Sequence, residues 1–133
     1  MVRPEIIDWL EEAEADLKHA KDCFKFESYN WSCFAAQQSA EKALKAFLMA
    51  SSRKRPSHVH DLTKLYDEAK NELTLPLDVS ENLGELSSYY TLARYPNAGL
   101  TRPSVGISKT QAERAIITAG KTLENIKKCL QTL

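Results

Sequence analysis

Side chains able to do acid–base or anion chemistry are unevenly placed along these 133 residues. Arg53, Arg55, His58 and His60 crowd into one short stretch. Imidazole titrates near neutral pH, which suits it to moving protons, and guanidinium groups grip phosphate through paired N–H donors. If the chain catalyses anything, these four residues are the candidates. The stretch is also free of acids: between Glu41 and Asp61 there is no carboxylate, but Lys42, Lys45, Arg53, Lys54 and Arg55 all occur. A second acid-free stretch runs from Glu85 to Glu113 and carries Arg94, Arg102 and Lys109. Inside it, Pro96, Gly99, Pro103 and Gly106 exclude a regular element from Tyr95 to Ile107, and a loop of that length is often a binding loop. The candidate anion- or nucleotide-binding set is therefore Arg94, Tyr95, Asn97, Arg102, Lys45 and His60, with Tyr95 available to stack on a base. A charge run can equally be a solvated face, and the loop a plain connector.

Metal chemistry is not expected. Cys23, Cys33 and Cys129 are odd in number and lack Cys-x-x-Cys spacing, which fits reduced thiols packed in a core. His58 and His60 are taken as the one pair near ligand spacing, and His19 reads as a surface residue beside an apolar stripe. No cofactor is implied.

Helices must position these groups. Ile6, Leu10, Ala13, Leu17, Ala20 and Phe24 step by three and four, which places them on one helical stripe behind Pro4, a residue suited to a first turn. A second helix over about 30–51 carries Cys33, Ala36, Ala40, Ala43 and Phe47, and its small residues make it the most buried element. A short third helix begins near Asp61. A fourth, after Pro76, carries Leu83, Leu86, Tyr90 and Ala93 and ends near Arg94, since Pro96 pushes Tyr95 toward extended backbone. The fifth starts at Ser108, where Ser-x-x-Gln reads as a capping box, and runs through Ala112, Ile116, Ala119, Leu123, Ile126, Leu130 and Leu133. No strand pattern competes.

Short connections imply an all-α, up-and-down bundle of about five helices forming one domain over residues 1–133. Alternating the helices places both acid-free stretches at the end that holds the N-terminus, where the starts of the third and fifth helices would add free N–H donors. The acids Asp67, Glu68, Glu72, Asp78 and Glu81 would lie at the other end. Eighteen basic residues balance eighteen acidic ones, so bulk charge recruits neither nucleic acid nor membrane. No apolar run reaches the ~18 residues of a membrane span, and the first residues are not those of a signal peptide, so a cytoplasmic protein is expected.

Three segments in order, Ser39-Ala-Glu-Lys-Ala-Leu-Lys-Ala-Phe-Leu48, His60-Asp61-Leu62 and Ala93-Arg94-Tyr95-Pro96-Asn97, resemble the hallmarks of the higher eukaryotes and prokaryotes nucleotide-binding (HEPN) domain family. The opening Trp9-Leu10-x-x-Ala13-x-x-Asp16-Leu17 is similar too. The resemblance implies a helical bundle, frequently a homodimer, often encoded beside a minimal nucleotidyltransferase. Some HEPN proteins are metal-independent ribonucleases, including toxins of toxin–antitoxin pairs, with a late Arg-x4–6-His motif. Here Arg94 and Arg102 have no histidine after them. Formal matches occur only early, as Arg53-x4-His58, Arg55-x4-His60 and Arg53-x6-His60. The expected function is thus a non-catalytic module binding nucleotide, RNA or a nucleotidyltransferase, with the ribonuclease as the alternative.

Overall fold

A computed structural model describes residues 3–52, 55 and 57–131. The described residues are helical and contain no strand. The five expected helices are α1 (Pro4–Lys25), α2 (Tyr29–Ser52), α3 (Leu62–Ala69), α5 (Leu83–Leu92) and α7 (Lys109–Gln131). Two single turns join them, α4 (Leu77–Ser80) and α6 (Pro103–Gly106). The second lies within the stretch expected to hold no regular element: Pro103 supplies the preset first-turn φ, and its side chain is buried.

Helix α2 is the core of the bundle and packs against α1, α3, α5 and α7. Fifteen of its 24 residues are buried, as its small side chains lead one to expect. Ala36, Ala40 and Ala43 let α1 approach closely. Two serines use that proximity: Ser32 Oγ donates to the Ala20 carbonyl and Ser39 Oγ to the Ala13 carbonyl, each at 2.7 Å. Phe47, Leu44 and Met49 fill the space toward the shorter helices. Helix α1 stops where Glu27 takes a left-handed φ of 60° and Ser28 N bonds back to Cys23 O at 2.9 Å. At the start of α7, Ser108 and Gln111 exchange hydrogen bonds as a capping box.

The ends of the bundle differ from expectation. Arg3 bonds to Met49 O, so the start of α1 does sit by the end of α2. Before α3, however, the chain is back beside the middle of α2, with His60 on Glu41. Helix α3 then runs down again, and Glu68 near its end shares a groove with Leu48, Ser52 and Arg55. Helix α5 climbs to the opposite end, where Asn30 Nδ2 donates to Ala93 O at 3.1 Å. Lys109 there lies over Phe24, and α7 descends antiparallel to α1, with Lys127 paired to Glu14. The loop after Arg94 therefore lies beside the α1–α2 turn, away from residues 42–52. The acids follow the same inversion. Counting each helix as one full traverse fails because the short third helix, eight residues long, starts only after the chain has run back to the middle of α2.

Candidate functional site

The site grows from one polar line on the small-residue helix α2. Gln37, Glu41 and Lys45 stand four apart on α2, so they share a face, and all three are buried. Lys45 Nζ meets Glu41 Oε2 at 3.0 Å. Gln37 Nε2 donates both to Glu41 Oε1 and to the His60 carbonyl, at 3.2 and 3.1 Å. His60 Nδ1 lies 3.0 and 3.1 Å from the two Glu41 oxygens. A buried carboxylate is costly unless paired, and here a cation, an amide and an imidazole share it. The arrangement leaves Nε2 as the outward nitrogen of His60.

The other face of the site is aromatic. The His60 ring stacks on Tyr90, 4.1 Å between centroids and 13° between planes. Tyr90 packs at 6.2 Å from Phe34, whose edge meets Trp31 at 6.0 Å. Arg94 sits among these rings: its Cζ is 4.5 Å from the Phe34 and Tyr90 centroids and 4.8 Å from that of Tyr95. Arg94 Nε donates to Tyr90 O at 2.6 Å. Among the described residues its Nη groups make no hydrogen bond and no ion pair. Trp31 and Tyr95 are about half exposed, at 47% and 51%. Beside them an open groove of about 530 Å³ is walled by His60, Asp61, Thr63, Gly84, Ser87, Ser88, Tyr90 and Thr91.

Of the residues singled out in the sequence, the structure brings together His60, Arg94 and Tyr95 around Tyr90. Asn97 and Arg102 are exposed on the same loop, Asn97 at a left-handed φ of 61°, and among the described residues no hydrogen bond joins either side chain to Arg94. Lys45 is turned inward to Glu41, away from solvent. His58 is exposed; Arg55 lines the separate groove with Lys45, Ser57 and Glu68; Arg53 lies outside the described residues. Among the described residues no contact joins Arg55 to His60.

Helix N-termini offer fewer free donors than expected. Asp61 is the N-cap of α3, accepting from Thr63 N and Thr63 Oγ1, and Ser87 Oγ takes Leu62 N. The Thr63 hydroxyl, foremost, holds the Asp61 carboxyl below its ordinary range. Tyr90 also departs from its expected core position: Tyr89, one residue or ~100° around the helix, is the fully buried ring. Burial pushes the neighbouring Cys33 thiol up to about 12, so that cysteine is a packing residue. Glu41, Gln37, Phe34 and Trp31 were not anticipated as site residues; the four-residue spacing of polar groups on an alanine-rich helix was the signal that could have found the first two.

Among the described residues no helix is long and apolar enough to cross a membrane, and no three His, Cys, Asp or Glu side chains converge on a metal position. The HEPN domain model matches residues 6–129. The chain belongs to the HEPN-domain family. Solved structures agree with that assignment. The Thermus thermophilus protein TT1696 is 32% identical over 96% of this chain and 99% of its own, with a TM-score of 0.85. The archaeal HEPN homologue ST0689 is 29% identical, over 96% and 98%, with a TM-score of 0.75. A HEPN domain protein of Thermotoga maritima, TM0613, is 25% identical, over 95% and 99%, at 0.73. No curated protein matches. In this HEPN domain the Ala93–Asn97 and His60–Leu62 segments that carried the resemblance meet at Tyr90.

Proposed function

We propose that this HEPN-domain protein is a non-catalytic module that binds a nucleotide or single-stranded RNA on the Tyr90 face. The observation that carries the reading is Arg94, held among three aromatic rings with its Nη donors unspent and no carboxylate beside it. An arginine so placed is pre-oriented for phosphate. Trp31 and Tyr95 supply partly exposed ring faces for bases, worth about 1–3 kcal/mol per stacked base. The hydroxyl-rich groove at Ser87, Ser88, Thr63 and Thr91 suits ribose. Trp31 provides the reporter: titration with short single-stranded RNA and with mononucleotides at low salt quenches its fluorescence. A signal that never changes with either ligand would overturn the reading.

The fixed geometry of His60 favours one alternative, a metal-independent ribonuclease. Glu41 occupies Nδ1 and leaves Nε2 to exchange protons with a ribose hydroxyl, with Arg94 on the same aromatic face rather than Arg53 or Arg55. Metal-free RNA cleavage that disappears in His60→Ala would favour it.

A two-fold homodimer is part of the proposal. Phe24, Ile116 and Ile117 line a shallow apolar groove between α1 and α7, with Ile117 exposed; sedimentation tests it. A nucleotidyltransferase partner, as in a toxin–antitoxin pair, rests on the family alone and is tested by co-purification.

A further inference from the structure

The groove beside Tyr90 follows one face of α5. Gly84, Ser87 or Ser88, and Thr91 recur every three or four residues and lead to Arg94 just past the end of the helix. Gly84 to Thr91 covers roughly 10 Å at about 1.5 Å per residue, room for a sugar next to a phosphate held at Arg94. Asp61 comes against this face from α3, with Ser87 Oγ 3.4 Å from its Oδ1. Resting on the Tyr90-face reading above, we propose that Asp61 makes the groove a receptor for a free 2′,3′-diol: the ribose of a nucleoside 5′-phosphate or of an RNA 3′ terminus.

The chemistry of the groove carries the assignment. A vicinal diol offers two O–H donors, and hydrogen bonds to an ionised acceptor are about twice as strong as those to a neutral one. Asp61 is that acceptor: the Thr63 hydroxyl, foremost, holds its carboxyl below the ordinary range, so it is an anion at neutral pH. Its capping bonds from Thr63 N and Thr63 Oγ1, at 3.0 and 2.6 Å, both fall on Oδ1, as does the longer Ser87 bond. The weaker approach of the Lys64 N–H apart, Oδ2 is left to accept. Among the described residues the Thr91 hydroxyl has no hydrogen-bond partner, and it lines the same groove. Glycine at position 84 keeps the groove open: a Cβ there would meet nothing within 4 Å, so packing does not require a residue that disfavours helix. The Asp61 charge also selects against a phosphate on the 3′ oxygen, since like charges repel. The groove therefore takes the end of a chain or a mononucleotide, with the 5′-phosphate on Arg94.

Calorimetric titration of the full chain tests this with two pairs of probes. One pair is adenosine 5′-monophosphate and its 2′,3′-dideoxy analogue; the other is a short oligouridylate ending in a free ribose or in a 3′-phosphate. Wild type is expected to hold the diol-bearing probe about tenfold or more tighter than its partner. A preference in the first pair alone identifies the ligand as a free nucleotide, and in the second alone as an RNA end. Asp61→Asn keeps an oxygen to cap α3 and is expected to erase most of the preference. Gly84→Gln, which enters open space, is expected to weaken the diol probes several-fold with helical content unchanged. Equal affinities within both pairs in wild type, a preference that survives Asp61→Asn, or diol affinity indifferent to Gly84→Gln overturns this proposal and leaves binding at the Tyr90 face standing. No binding of any probe removes the Tyr90-face reading itself, and this proposal with it.

Discussion

His60 and Tyr90 lie ring on ring, 4.1 Å between centroids, while Glu41 grips the Nδ1 edge of the imidazole. One residue comes from the segment before α3 and the other from α5, and Gln37 and Glu41 on α2 hold the first of them in place. The pairing brings the His60–Leu62 segment beside the helix that leads into Ala93–Asn97. It also explains why a buried carboxylate and lysine sit in a small-residue helix: they form the floor that orients His60.

Glu41 should therefore be the most costly polar residue to neutralise. Glu41→Gln leaves Lys45 as a buried, uncompensated charge, and breaking such a pair costs about 3–5 kcal/mol. Urea unfolding should show the midpoint falling accordingly. A loss below ~1 kcal/mol would mean that Lys45 escapes to water.

Tyr89→Phe should behave in the opposite way. The Tyr89 hydroxyl is buried with no well-formed hydrogen bond among the described residues, only weak approaches from Cys33 and Gln111, and removing so poorly satisfied a group is neutral or stabilising. Thermal unfolding is expected to match or exceed wild type. A clear loss of stability would reveal a partner for that hydroxyl.

Glu27→Gly should stabilise the chain. Glu27 holds the left-handed position that ends α1, where a Cβ costs about 1–2 kcal/mol. Part of that gain is offset by the larger entropy of glycine in the unfolded chain, leaving about 0.5 kcal/mol. Chemical denaturation resolves the sign.

Asp61→Ala removes the α3 cap and should cost about 1 kcal/mol at neutral pH. Because the folded-state pKa of Asp61 is lowered, its contribution is present above the unfolded value and lost as pH falls. The stability gap between wild type and Asp61→Ala should therefore narrow as pH drops below about 4. A gap that stays constant into that range would mean that the charge of the Asp61 carboxylate does not carry the cap.

The five helices were legible because 3,4 spacing of apolar residues needs nothing from elsewhere in the chain, and the Ser108–Gln111 cap is equally local. Chain direction was not legible. Residues 57–61 carry no periodicity, so where they sit against α2 is decided by tertiary contacts such as His60 with Glu41. Arg94, Tyr95 and His60 could be named from residue type and setting. Tyr90 could not be told from Tyr89, since adjacent positions both border a stripe defined by Leu83, Leu86 and Ala93. Lys45 looked like surface charge because its partner, Glu41, was counted as the boundary of a basic stretch rather than as a neighbour one turn away.

Affinity for short single-stranded RNA, measured by Trp31 fluorescence at low salt in wild type and Arg94→Ala, tests RNA binding at the Tyr90 face. Saturable binding is expected, weakening about tenfold or more in the variant while its helical content stays unchanged. Equal affinity in the two proteins would contradict the role given to Arg94.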